Sequence, residues 1–375
     1  MSSGARSAAG LAVAAGILLR IVLVATTAGT TDVKLARDWA SYAAESGVSG
    51  AYAHHPWVNH PPLSLAVMKG WYLASPHVGI TFGDLFRYQQ VLADCVSLVC
   101  LLLLGGRRLA LLYFLSPVAI FISAFHGNSD ATMVMCVLLA LLLLKREQPF
   151  AAGIALGAAV GIKILPLLLL PFLLRYVYVR HEARKFAASF TVTAGLMFVI
   201  PLASAGMALV MNVFGYRGVG TWWGPVSMFL TAGLPRLAEL YVNTNTLLEL
   251  ALVAALAVWW WRRSPELEQL VAMCGVVLGT LIVFGAGFGV QYLIWPVAFL
   301  PFALRTREAV VLHMVLAAFL AFVYTRWSGG WPWWYADAES PGAMTMQLVV
   351  AGWVAWGALV YGTARTHLNL GVRWR

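Results

Sequence analysis

The chain has 375 residues, 61% of them hydrophobic and 11% charged, with a net charge of +10 and a mean hydropathy of +0.80. Soluble domains carry about 25% charged residues, so this chain has too little polar surface for water, and lipid is its expected solvent. The positive charge does not point to nucleic acid, because the basic residues sit in short clusters between apolar runs, where they set membrane orientation.

Apolar runs predict about 12 membrane helices, over 8–28, 86–104, 109–125, 131–144, 149–162, 164–179, 186–206, 246–261, 267–286, 291–304, 308–325 and 346–363. Helices are the expected form, since lipid satisfies no exposed backbone groups and the strand alternation of a barrel is absent. The first run follows Arg6 and resembles a signal peptide, but it is long for one and many runs follow, so it reads as a retained first helix. The expected fold is an all-α polytopic bundle, one membrane domain over 1–375. Cys95, Cys100, Cys136 and Cys274 lie inside apolar runs without metal-ligand spacing and read as buried thiols.

Charge gives the expected topology. With both termini in the cytoplasm, 16 of the 25 Lys and Arg residues fall inside and eight outside, and Arg20 lies within the first helix. The outer side then carries three long segments, 29–85, 207–245 and 326–345. They are rich in Trp, Tyr, His, Pro and Gly, as in WVNHPPL (57–63), GTWWGP (220–225) and RWSGGWPWWY (326–335). Within the first, LSLAVMKGWYLAS (63–75) is apolar but short, and reads as a helix lying in the interface.

Candidate chemistry concentrates on that side. Asp32 opens the first outer loop, where a carboxylate is able to act as general base; the alternative is a loop aspartate or helix cap. His54, His55 and His60 raise the question of a metal, but HHPWVNH has no second cluster and Pro56 and Pro61 restrict the backbone, so none is expected. The run from His126 to Asp130 begins a span. Its backbone amides suit an anion or sugar, or Asn128 or Ser129 caps the helix with Asp130 in the first turn. Lys163 interrupts two apolar runs. It serves an anionic ligand or snorkels to the interface. Gln291 and Tyr292 end the tenth run, to bond a ligand or a neighbouring helix, and Arg326 contacts phosphate or anchors the interface. Arg20 and Asp94 lie at membrane depth and suggest a buried pair, with Arg87 a second candidate partner for Asp94.

These residues resemble a known family. Asp32, Arg37 and Trp39 match, at the same spacing, the D-x4-R-x-W of the first lumenal loop in dolichyl-phosphate-glucose-dependent glucosyltransferases of N-glycan assembly. His60-Pro61-Pro62-Leu63 looks like their Y-P-P-L segment, and Arg87 with Asp94 like the Arg and Asp of their next span. The stretch from Ser116-Pro117 to His126-Gly127 is similar to their N/S-P…H-G segment, and Lys163 to their membrane-edge lysine. Phe288 to Pro296 looks instead like the S-P-Q-Y-L-x-W of GPI mannosyltransferase I and related bacterial mannosyltransferases. The sequence departs from the pattern where His60 replaces a common tyrosine or aspartate, and it lacks the H-V-H-E-K-type segment.

The resemblance implies a GT-C type membrane fold with a long first outer loop holding interfacial helices. It implies an inverting hexosyltransferase with Asp32 as catalytic base. The donor would be a mannosyl or glucosyl polyprenyl phosphate, the acceptor a glycolipid or lipid-linked glycan, with membrane lipid as surroundings. Arg37, Trp39, His60, His126, Asp130, Lys163, Gln291, Tyr292 and Arg326 would bind substrate, with no cofactor or metal. The alternatives are a lipid-linked oligosaccharide ligase or polymerase and a lipid flippase or transporter. No repeat of the kind transporters show is visible, and no soluble nucleotide-sugar domain fits between the runs. The Ala, Gly, Val and Arg-rich composition suits a GC-rich bacterium, placing the site at the periplasmic face of the plasma membrane; in a eukaryote it would face the endoplasmic reticulum lumen.

Overall fold

The computed structural model describes residues 3–216, 218, 220–338 and 345–372. The charges at Arg217, Arg373 and Arg375 lie outside the described residues, as does part of the last outer segment. The chain is all-α: α1 Ser3–Thr26, α2 Thr31–His54, α3 Pro62–Val78, α4 Phe82–Gly105, α5 Arg107–Phe114, α6 Pro117–Ile120, α7 Asp130–Lys145, α8 Pro149–Ile162, α9 Leu170–Tyr178, α10 Ala183–Ala205, α11 Met207–Leu209, α12 Gly224–Thr231, α13 Pro235–Trp261, α14 Leu267–Phe284, α15 Ile294–Phe299, α16 Thr306–Trp327 and α17 Met346–Val372. A two-residue strand at Gly29–Thr30 pairs in parallel with Tyr335–Ala336.

Among the described residues seven helices are long and apolar enough to cross a bilayer, or eight if α5 and the segment Pro117–His126, bent by 49° at Pro117, form one span. The chain is an integral membrane protein, with fewer long spans than the twelve expected. Several expected spans are short helices: α8 has 14 residues, about 21 Å, against about 30 Å of hydrocarbon. The expected span at 291–304 is broken into 3₁₀, α and 3₁₀ turns. The expected span from 246 instead begins at Pro235, because the polar first turns of α13 dilute the hydropathy signal. The apolar stretch 63–75 is helical, within α3, and α2 precedes it.

The chain divides into two compact units: 1–166 with 184–216 and 331–338, and 167–183 with 217–330 and 339–375. In the first, α8 lies directly on α10. Gly153, Gly157 and Gly161 repeat every four residues on one face of α8. A side chain at Gly153 would strike Ser189 and Phe186, one at Gly157 would meet Thr193 Cβ at 2.9 Å, and one at Gly161 would meet Leu63 Cβ at 2.9 Å. Small residues at this spacing let membrane helices approach closely. The same unit buries Arg20 against Asp94. The guanidinium donates to Asp94 Oδ2 at 2.9 and 3.0 Å and to the Gly16 and Phe114 carbonyls, and Tyr113 donates to Asp94 Oδ1 at 2.7 Å. Arg87 is not its partner: it pairs with Asp84 at 2.8 Å and binds the carbonyls of Val24, Thr27 and Ala124.

The second unit buries α14 among α13, α15 and α17, with α16 packed on α17. An aromatic cluster of Trp222, Trp223, Phe288, Phe319 and Trp327 lies in it, with Trp223 stacked on Phe288 at 3.7 Å. The four cysteines are free, Cys95 partly buried and the others buried.

Candidate active site

The site forms where the end of α1, the start of α2 and the turn before α7 meet. Thr30 caps α2: its hydroxyl accepts from the Asp32 backbone N–H and donates to the His126 carbonyl at 2.8 Å. One side chain therefore fixes the first turn of α2 to the segment opposite. Asp32 sits in that first turn, where the helix dipole favours negative charge. The pairing of Gly29–Thr30 with Tyr335–Ala336 and the Thr31 hydroxyl donating to Asp337 at 3.0 Å brace the same turn.

The opposite wall comes from an irregular stretch. After α6 the chain widens into a π-helical turn, Phe121–His126, a local form often found at functional sites. It ends at Gly127 in the left-handed region, φ 72°. A Cβ there would overlap Val33 and come within 2.9 Å of Arg87 Cγ, so glycine is required both for conformation and for space. This turn aims His126 and Asn128 together at Asp32. His126 Nε2 lies 3.1 Å from Asp32 Oδ2, and the Asn128 amide donates to the same oxygen. Asp32 Oδ1 has no hydrogen-bond partner among the described residues, and the side chain keeps 27% of its accessible surface. Burial alone would raise the Asp32 pKa. The charge and hydrogen bond of His126, the Asn128 amide and the charge of Lys163 outweigh it and hold the carboxyl at about 2. An ionised carboxylate only accepts, so His126 Nε2 carries the proton in that contact.

Asp130 opens α7 fully buried, and Lys163 Nζ lies 3.4 Å from its Oδ2. Gln90 holds the N-terminus of α7, accepting from Thr132 N–H at 3.1 Å and Thr132 Oγ1 at 2.8 Å. Lys163 is the residue at which α8 stops, in extended conformation, so the glycine face of α8 sets where its ammonium goes. His60 precedes Pro61 and Pro62 at the start of α3, buried to 7% exposure, with Trp39 against its ring at 4.9 Å. Its electrostatic neighbours are Lys163 and Asp32, and Asn128 lies beside its ring; burial lowers its pKa to about 3, leaving it neutral.

The structure thus brings Asp32, His60, His126, Asp130 and Lys163 together, with Trp39 behind His60. Arg37 is exposed on α2 and stands apart. His54 and His55 do not join His60: His55 stacks on Tyr42 at 3.5 Å. Gln291, Tyr292 and Arg326 belong to the second unit, where Tyr292 stacks on Trp295 at 4.4 Å and Arg326 ends α16 exposed. Of the two cap candidates, Ser129 is the residue before α7, with no side-chain cap bond, and Asn128 serves Asp32 instead. The sequence shows no signal for this choice: HGNSD fits either use. Tyr216, which no motif marks, also feels the site: its phenol is pushed up by burial and by the Asp32 charge.

A model of glycosyltransferase family 87 matches residues 57–285, more than half of the chain. The chain belongs to glycosyltransferase family 87. GPI mannosyltransferase 1 of Eremothecium gossypii is 24% identical over 327 residues, 81% of this chain and 77% of the relative. The chain is therefore an integral-membrane glycosyltransferase. The stretch matched to family 87 carries His60, His126, Asn128, Asp130 and Lys163, while Asp32 precedes it.

Proposed function

We propose that this family 87 glycosyltransferase is an inverting mannosyltransferase that uses a polyprenyl-phosphate sugar and a glycolipid or lipid-linked glycan acceptor. The mannose assignment is supported by the name of the fungal relative and by the resemblance of residues 288–296 to mannosyltransferases. The observation that carries the mechanism is the asymmetry of Asp32: Oδ2 is held by His126 and Asn128, and Oδ1 is free to accept a proton.

In the reaction the acceptor oxygen attacks the anomeric carbon and its proton passes to Asp32 Oδ1. The bond from that carbon to the phosphate oxygen breaks, and polyprenyl phosphate leaves with the electron pair. A carboxylate held near pKa 2 is a weak base, so it suits a late proton transfer, after the glycosidic bond has largely broken. Lys163, aided by His126, stabilises the negative charge on the leaving phosphate, and Asp130 positions the ammonium. The basic loops support an orientation with both termini in the cytoplasm and the site on the outer face.

The test is transfer from labelled mannosyl and glucosyl polyprenyl phosphates to a lipid and glycan extract by protein reconstituted in lipid. Mannosyl transfer with inverted anomeric configuration in the product is expected. Glucosyl transfer alone would overturn the mannose assignment, and retention of configuration would overturn the single-base mechanism. Protein-dependent movement of the lipid across the bilayer without transfer would favour a flippase.

A further inference from the structure

His60 has a feature that the mechanism above leaves unused. Its Nδ1 lies 2.9 Å from Asn59 Oδ1, an oxygen that only accepts, so Nδ1 carries the ring proton. Nε2 is then a bare acceptor. It is buried and has no hydrogen-bond partner among the described residues. An acceptor left so in the interior is destabilising, and such an atom in a native structure calls for an explanation.

The ring is held in place from several sides. Trp39 packs on one face. The backbone carbonyl of His60 accepts from the buried Tyr52 hydroxyl at 2.6 Å, and Asn212 ties His55 and Tyr52 together by their carbonyls. Pro61 and Pro62 stiffen the chain directly after it. The nearest amide, that of Asn128 beside the ring, donates to Asp32 Oδ2, and Nε2 keeps no hydrogen bond of its own among the described residues. The charged groups whose fields reach the ring are Lys163, the proposed phosphate partner, and Asp32, the proposed base, with Asn128 beside it.

Displacement at an anomeric carbon places the attacking oxygen and the leaving phosphate on opposite faces of one sugar ring. A group that neighbours both the base and the phosphate partner therefore faces the sugar being transferred. A hexose offers that group O–H donors. We propose that His60 Nε2 accepts a hydrogen bond from one hydroxyl of the transferred hexose and so selects donors that carry it in the right position. The inference rests on the polyprenyl-phosphate hexosyltransferase reading and adds to it a positioning and specificity residue. A buried site built around one hydroxyl rejects the sugar lacking it more strongly than an apolar pocket rejects a small change of size.

The test uses mannosyl polyprenyl phosphate and its 2-, 3-, 4- and 6-deoxy analogues with wild type, His60→Phe and His60→Gln, all in lipid. Phe keeps a ring against Trp39 but has no acceptor, and Gln restores a neutral acceptor oxygen. Wild type is expected to disfavour one deoxy analogue by about 100-fold or more in kcat/KM. His60→Phe should lose a similar factor on the full sugar and treat that analogue and the full sugar alike. His60→Gln should recover part of both the rate and the discrimination. Thermal unfolding of each variant separates misfolding from loss of the contact. If His60→Phe does not fold, the contrast between wild type and His60→Gln across the deoxy series decides: unchanged discrimination in His60→Gln, with wild type indifferent to every deoxy change, overturns the proposal. It is likewise overturned if a folded His60→Phe keeps the wild-type preference against every analogue. Absence of transfer from any hexosyl polyprenyl phosphate by wild type would instead overturn the functional reading on which it rests.

Discussion

Two clusters in the first unit each join carboxylates to cations, and they differ in whether every polar atom is used. In the cluster of Arg20, Asp94 and Tyr113 both carboxylate oxygens are bonded, the guanidinium reaches two further carbonyls, and Arg20 and Asp94 are fully buried. In the cluster of Asp32, His126, Asn128, Asp130, Lys163 and His60, Asp32 Oδ1 and His60 Nε2 are left over and Asp32 is partly exposed. A closed network specifies structure, because breaking it strands a buried charge. A network with a spare base and a spare acceptor at its rim is arranged for a ligand. Charge at membrane depth alone does not tell the two apart, and the count of satisfied atoms does.

The largest expected effect is on activity. Asp32→Asn removes the base while keeping an acceptor oxygen, and transfer should fall by about 10³-fold, within the range for a lost general base, with a smaller loss of melting temperature than Asp94→Ala shows. Asp94→Ala should do the reverse. It leaves Arg20 buried and unpaired, costing about 3–5 kcal/mol, seen as a lower unfolding temperature and poorer recovery of folded protein. Lys163→Met should lower kcat by about 100-fold if the ammonium stabilises the leaving phosphate; an effect confined to stability would assign Lys163 to the structural class with Arg20.

The smallest effect sharpens the electrostatics. Asp32 has a folded pKa of about 2 against an ordinary 3.8. A depressed carboxylate pKa contributes stability above the unfolded value, and that contribution is lost as pH falls through the folded one. Transfer by wild type should therefore show no acid limb from Asp32 from neutrality down to about pH 4. In Asn128→Ala the burial that raises the pKa is opposed by fewer partners, so an acid limb should move up into the measurable range. A pH profile identical to wild type would remove Asn128 from the control of Asp32.

The membrane class was legible because composition reports the solvent directly. The pairing of Arg20 with Asp94 was legible because a charge in an apolar run needs a partner, although the choice between Arg20 and Arg87 needed the packing of α1 on α4 and α5. The short spans were not legible. A 14-residue apolar run such as α8 has the same hydropathy whether it faces lipid or lies against α10, and only the 153–157–161 glycine repeat hints at the second. Asn128 was ambiguous because capping a helix and bonding a carboxylate 96 residues away use the same amide. Gln291, Tyr292 and Arg326 stood out by motif, and motif order says nothing of which compact unit will hold a residue.

The most direct measurement compares wild type, Asp32→Asn and Asp94→Asn, each reconstituted in lipid, for transfer from labelled mannosyl polyprenyl phosphate and for thermal unfolding. The account predicts an inactive Asp32→Asn that loses far less unfolding temperature than Asp94→Asn. It predicts for Asp94→Asn a lowered unfolding temperature, with transfer per folded molecule near wild type at a permissive temperature. Wild-type transfer by a folded Asp32→Asn protein would contradict the assignment of the open network to chemistry.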